Sequence, residues 1–139
     1  MAGAGVHLAE ARTQQMRVLI ADDSLVVRER LRSLLSGLQG IQVIGQAEDA
    51  VEARSLAEKL RPDVAILDLR MPNGSGADVL YELKKLDPAP TVIMLTNYPH
   101  PDNRKKCVDW GADYFFDKST EFQKVVSVLT DMLRDPARH

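Results

Sequence analysis

The chain has 139 residues, 45% of them hydrophobic and 27% charged, and its 18 basic and 20 acidic side chains leave a formal net charge of -2. These figures suit one ordinary globular domain and exclude a disordered chain or a strongly basic nucleic-acid module. A single cysteine, Cys107, excludes an internal disulfide framework and suits a reducing, cytoplasmic setting; no apolar run approaches the roughly 20 residues of a membrane-spanning helix.

Residues 1–15 are small and polar, without a sustained period and without the basic and apolar regions of a secretory signal. They read as a flexible leader, with a helical turn expected around His7–Arg12. From Met16 a rhythm begins. The run VLIADD predicts a first strand ending at Asp23. Leu25–Leu38 then carries Val27, Leu31, Leu34, Leu35 and Leu38 on one helical stripe, with Ser24 as its N-cap and Gly40 as its stop. IQVIGQA predicts a second strand to Ala47. Ala50–Leu60 follows as a helix with Ala53, Leu56, Ala57 and Leu60 inward, ended by Pro62.

VAILD predicts a third strand to Asp68, and Ala77–Leu86 a helix broken by the DPAP turn. TVIMLT predicts a fourth strand to Thr96, and residues 102–110 a short polar helix. Its Trp110 reads either as core or as a partner contact, and its Cys107 as inward-facing. YFFD predicts a fifth strand to Asp117, with Phe115 on one face and Tyr114 and Phe116 on the other. Phe122–Leu133 predicts a last helix on Phe122, Val125, Val126, Leu129 and Leu133. His7, His100 and His139 show no ligand spacing and read as solvent-facing.

Five βα units therefore fill residues 16–134, followed by a tail at 135–139. Continuous apolar strands alternating with amphipathic helices mean an α/β, doubly wound, five-stranded parallel sheet covered on both faces, with right-handed crossovers. In such sheets chemistry gathers at the carboxyl ends of the strands. Those ends carry Asp22 and Asp23, Asp68, Thr96 and Lys118. Each alone has a plain structural explanation: a helix cap, a loop carboxylate, a strand-end hydroxyl, a surface lysine. Together they form an acidic rim with a cation and a hydroxyl. Clustered carboxylates repel and call for a hard cation with oxygen ligands, for which Mg²⁺ is suited. A carboxylate can also act as a covalent nucleophile toward a phosphoryl group.

VLIADDS, VAILDLRMPNGSG, VIMLT and GADYFFDKS, in this order, resemble the receiver domain of bacterial two-component response regulators, of the chemotaxis-regulator-like, single-domain type. The resemblance covers about residues 16–134, and LDLRMPNGSG is its most specific stretch. It implies a flavodoxin-like (βα)5 fold with strand order 2-1-3-4-5. It implies Asp68 as phosphoacceptor, Lys118 and Thr96 as groups on the phosphoryl oxygens, and Mg²⁺ (or Mn²⁺) as cofactor. The cation would be held by Asp23, Asp68, the backbone carbonyl of Arg70 and, through water, Asp22. Thr96 and Phe115 would form the switch, with the ring entering space vacated by Thr96, and Arg70 and Tyr98 would tune dephosphorylation.

The implied phosphodonor is a sensor histidine kinase or phosphotransfer protein. The implied output is a protein target on the face of the fourth helix, fifth strand and fifth helix, where a homodimer is also an allowed arrangement. No direct nucleic-acid or membrane contact is expected, and no turnover of an external substrate. A stand-alone signalling receiver is the first reading; the receiver part of a longer DNA-binding transcriptional regulator is the second. Two departures stand out. Ser119 follows Lys118 where the family often has proline, leaving the geometry of that peptide open, and Asn97 narrows the approach beside Thr96.

Overall fold

A computed structural model describes residues 15–134 of the chain; the expected leader turn and the residues 135–139 lie outside them. Five strands form one parallel sheet: β1 Met16–Ala21, β2 Ile41–Ala47, β3 Val64–Leu67, β4 Thr91–Thr96 and β5 Tyr114–Asp117. Their order is β2-β1-β3-β4-β5, as the resemblance implied. Four helices connect them and a fifth follows the last strand: α1 Leu25–Ser36, α2 Ala50–Leu60, α3 Gly76–Leu83, α4 Pro101–Asp109 and α5 Lys124–Arg134. No helix among the described residues is long and apolar enough to cross a membrane.

The two-residue period of the strands divides the core into two halves. Leu19, Ala21, Ala65, Leu67, Val92, Met94 and Phe115 face α2, α3 and α4, where Ala53, Ala57, Val79, Leu80, Leu83 and Cys107 meet them. Val18, Ile20, Val64, Ile66, Ile93 and Leu95 face α1 and α5, where they meet Leu31, Leu35, Val125 and Leu129. In-register neighbours such as Ile20–Ile66 and Ile66–Ile93 align the central strands. The strand ends that carry Asp22, Asp68 and Thr96 thus reach one edge of the sheet.

The helix starts follow capping chemistry. The Ser24 hydroxyl accepts from the Val27 amide at 3.2 Å, Asp49 from Glu52 at 2.8 Å and Ser75 from Asp78 at 3.2 Å. His100 is exposed and accepts through Nδ1 from the Asp102 amide, with Pro101 opening α4. Several boundaries differ from the sequence expectation. α1 stops at Ser36 with Gly37 as its C-cap, and Gly40, at φ +92°, instead turns the chain into β2. α3 ends at Leu83, and the next residues tighten into i→i+3 turns that satisfy its last carbonyls. α5 begins at Lys124, with Phe122 buried in the turn ahead of it.

A small hairpin, Arg70–Met71 paired with Gly74–Ser75, was not anticipated. Trp110 caps α4 and lies half-buried against the core, its ring tilted on Tyr81 at 5.3 Å. The Lys118–Ser119 peptide is trans, since Asp87–Pro88 is the one cis bond among the described residues.

Gly76 opens α3 directly over the Asp68 peptide. A Cβ there would sit on the Asp68 carbonyl oxygen, 2.8 Å from its carbon and 2.9 Å from the Leu69 Cα. All three contacts are backbone and cannot rotate away. Gly76→Ala is expected to destabilise the domain by about 3 kcal/mol or more, read by urea unfolding.

Candidate phosphoacceptor and metal centre

Asp22 is the first residue after β1 and Asp68 the first after β3. The Asp68 amide donates to the Ala21 carbonyl at 2.9 Å, so the sheet ladder itself brings the two carboxylates side by side. Lys118 arrives from the end of β5, held by its own amide donating to the Thr96 carbonyl at 2.8 Å. Its ammonium donates to Asp22 Oδ2 at 2.6 Å and to Asp68 Oδ2 at 3.1 Å. Asp22, Asp68, Thr96 and Lys118 are all buried, while Asp23 faces solvent.

Burial pushes the Asp68 carboxyl above the ordinary carboxylate range; the Lys118 charge pulls it back and the Asp22 charge adds to the rise. Burial also opposes the charge on Lys118. Its hydrogen bond to Asp22 and the attraction of both carboxylates outweigh that, and hold the ammonium above the usual lysine value. The ion cluster is therefore Lys⁺ shared by two carboxylates, with negative charge in excess.

That excess faces Asp23. One oxygen from each of Asp22, Asp23 and Asp68 lies within 4.8 Å of the others. Asp68 Oδ1 is buried and has no hydrogen-bond partner among the described residues. A buried, unpartnered carboxylate oxygen is costly unless a donor or cation meets it. The donor set is all oxygen, which matches a small hard cation.

The other expected residues are also placed here. Arg70 is exposed in the hairpin after Asp68, and its guanidinium lies 4.0 Å over the Tyr98 ring. The Thr96 hydroxyl accepts from the Tyr98 amide at 3.0 Å. Phe115 is 4% exposed, its ring packed in the core half that faces α2, α3 and α4. Arg104 covers the ring at 4.8 Å and donates to the Phe115 carbonyl at 3.2 Å.

Two supporting residues escaped the sequence reading. Arg28 donates to the Asp22 carbonyl at 2.7 Å and to Gln46 Oε1 at 3.2 Å, tying the loop that carries Asp22 and Asp23 to α1 and β2. The only signal for Arg28 was its place one turn after the Ser24 cap. Gln46 carried none, because pairing across the sheet sets its neighbour.

The raised Asp68 pKa has a stability consequence of definite sign. Below the unfolded value near 3.8 the group is protonated in both states and costs nothing; as pH rises through the raised folded value, ionisation favours unfolding. Without divalent cation, Asp68→Asn should melt at a higher temperature than the unaltered chain at pH 7. The gap should close as pH falls toward about 4, in thermal scans across that range.

Comparison with known proteins agrees with this geometry. The response regulator receiver domain family matches residues 18–130. A protein-glutamate methylesterase/protein-glutamine glutaminase 2 of Vibrio vulnificus is 38% identical over 74% of this chain and 30% of its own length. The transcriptional regulatory protein YdfI of Bacillus subtilis is 33% identical over 85% of this chain and 55% of its own. The chain thus spans about a third to about half of these relatives. Among solved structures, the response regulator domain of Thermotoga maritima CheB superposes with a TM-score of 0.75 at 31% identity, covering 86% of this chain and 94% of that one. The isolated REC domain of RcsB from Salmonella enterica serovar Typhimurium, in the presence of phosphomimetic BeF3-, gives 0.79 at 26% identity, covering 87% and 90%. With the parallel sheet order and the acidic rim in place, the match over most of the chain means that it belongs to the response regulator receiver domain family, a signalling module of two-component systems.

Proposed function

We propose that Asp68 is the phosphoacceptor of this receiver, taking a phosphoryl group from a phosphohistidine on a sensor kinase or phosphotransfer protein. The observation that carries this is the buried Asp68 carboxylate, held on one oxygen by Lys118 and left without a partner on the other. An Asp68 oxygen forms the bond to phosphorus as the bond to the donor's imidazole nitrogen breaks, and that electron pair stays on the imidazole. Asp23, Asp68, the Arg70 carbonyl and, through water, Asp22 would hold Mg²⁺ or Mn²⁺. The cation supplies charge to offset the phosphoryl oxygens. Lys118, which sits between the two carboxylates, would donate to a phosphoryl oxygen, and the Thr96 hydroxyl lies at the neighbouring strand end.

Leu25 and Val26 are 60% and 78% exposed at the start of α1, next to the acidic rim. They offer an apolar step on which a protein phosphodonor can rest. The output is read as a change at the α4–β5–α5 face, where Phe115 and Arg104 lie, felt by a protein partner in the cytoplasm or by an effector joined to the receiver.

The stacked Arg70–Tyr98 pair stands beside the acceptor and would shield the aspartyl phosphate from water. An exposed cation–π pair is worth about 0.5–1 kcal/mol, enough to keep both groups in place much of the time. Incubation with Mg²⁺ and acetyl phosphate, followed by intact-mass measurement, should show one added phosphoryl group that Asp68→Asn abolishes. No added mass in the unaltered chain would overturn the assignment. Replacing Arg70 and Tyr98 together by alanine should shorten the phosphate lifetime about threefold or more, timed by the same mass readout.

A further inference from the structure

The hairpin after Asp68 is anchored at both ends. At its base, Arg70 pairs with Ser75 and the Gly76 amide donates to the Leu69 carbonyl at 2.7 Å. At its tip, the Ala50 amide donates to the Pro72 carbonyl at 3.1 Å, and Asn73 donates through Nδ2 to Asp49 Oδ2 at 3.2 Å. Asn73, at φ +62°, and Gly74, at φ +132°, turn the chain there. A Cβ on Gly74 would come within 3.0 Å of the Ala50 Cβ, so tip and helix are in direct contact.

The two oxygens of Asp49 do different work. Oδ1 caps α2 by accepting from Glu52, and Oδ2 holds Asn73. Only the second reaches the hairpin. Arg70 stands at the base of the hairpin, paired with Ser75 and followed by the segment whose Pro72 carbonyl is held by Ala50. A backbone carbonyl has no rotamer of its own, so its direction follows the peptide plane, and that plane is set where the hairpin is held. Mg²⁺ tolerates little departure from octahedral geometry. Outer partners that orient ligands are worth a good share of metal affinity.

We propose that Asp49 is a positioning residue for the cation site, acting through Asn73 on the hairpin that presents the Arg70 carbonyl. This rests on the reading of Asp23, Asp68 and Arg70 as cation ligands. It adds a requirement from outside the ligand-bearing loops, at the N-cap of α2. Linkage makes the coupling reciprocal: if the clamp favours the cation, the cation must tighten the clamp.

Two substitutions separate this role from capping and from bulk charge. Asp49→Ser keeps an N-cap oxygen for Glu52 but cannot reach Asn73. Asn73→Gly removes the amide, leaves net charge unchanged and accepts positive φ without strain. Mg²⁺ affinity is measured by isothermal titration, alongside hydrogen exchange of the Ala50 amide with and without Mg²⁺ and a thermal melt. Each single variant is expected to weaken Mg²⁺ binding by about threefold to tenfold, and the double variant by no more than either, as one shared contact requires. In the unaltered chain Mg²⁺ should slow exchange at Ala50; in both variants that response should be lost. If Asp49→Ser does not fold, Asn73→Gly alone decides. Affinity within twofold of the unaltered chain in Asn73→Gly, or an Ala50 amide indifferent to Mg²⁺, overturns the proposal while leaving the cation site standing. An unaltered chain that binds Mg²⁺ no better than Asp23→Asn overturns the cation-site reading and this proposal with it.

Discussion

Asp22 and Asp68 end adjacent parallel strands, both out of water, and two buried carboxylates at that separation repel strongly. Lys118 answers part of that repulsion. It comes from 50 residues beyond Asp68 and 96 beyond Asp22, so this one ammonium ties the ends of β1, β3 and β5. Such a triad is weak evidence for stability, because the desolvation of each charge opposes the attraction. Its value is chemical. In the proposed reading, Lys118 offsets part of the cost of ionising Asp68 and would donate to an incoming anion, while the carboxylates leave a charge that a divalent ion could complete.

The rest of the architecture serves to bring those three ends together. The two apolar halves hold the sheet between α1 and α5 on one side and α2, α3 and α4 on the other. Close approach is obtained with small residues where space is short. Ala50, Ala53 and Ala57 let α2 lie against the sheet, and Gly76 lets α3 begin on top of the Asp68 peptide. Around the triad, Arg28 braces the Asp22 loop and the Asp49–Asn73 contact braces the hairpin. The charged site is thereby supported from three helices and three strands.

Phe115 bears on how such a domain signals. The ring is buried against the core, under Arg104. A ligand moves an equilibrium only by its differential affinity for the two states. In the switch proposed for this domain, the phosphoryl group would have to favour a different set of contacts among Thr96, Tyr98, Phe115 and Arg104. The Thr96 hydroxyl is engaged by the Tyr98 amide, a contact the proposed switch would have to exchange.

Much of this was legible in the residue order. Short continuous apolar runs, alternating with helical stripes, point to a parallel α/β sheet, because that arrangement buries both faces of each strand. The carboxyl-end rule then singled out Asp22, Asp23, Asp68, Thr96 and Lys118, and the structure brings the three aspartates and Lys118 into one cluster with Thr96 at the next strand end. Ala50–Leu60 came out with the bounds its apolar spacing and Pro62 suggested, since both ends carry local signals. The ends of α1, α3 and α5 did not. Leu38, Leu86 and Phe122 continue an apolar stripe, yet pack just as well from turns. Arg28, Gln46, Asp49 and Asn73 were invisible for a related reason. Their partners are distant in the chain, and a polar side chain carries no periodic mark of the contact it will make. Apolar pattern is a local property repeated along the chain, so sequence alone determined the fold and the rim. Which polar groups brace that rim, and that Arg104 covers the buried Phe115 ring, depends on how distant segments meet, and only the tertiary structure decided it.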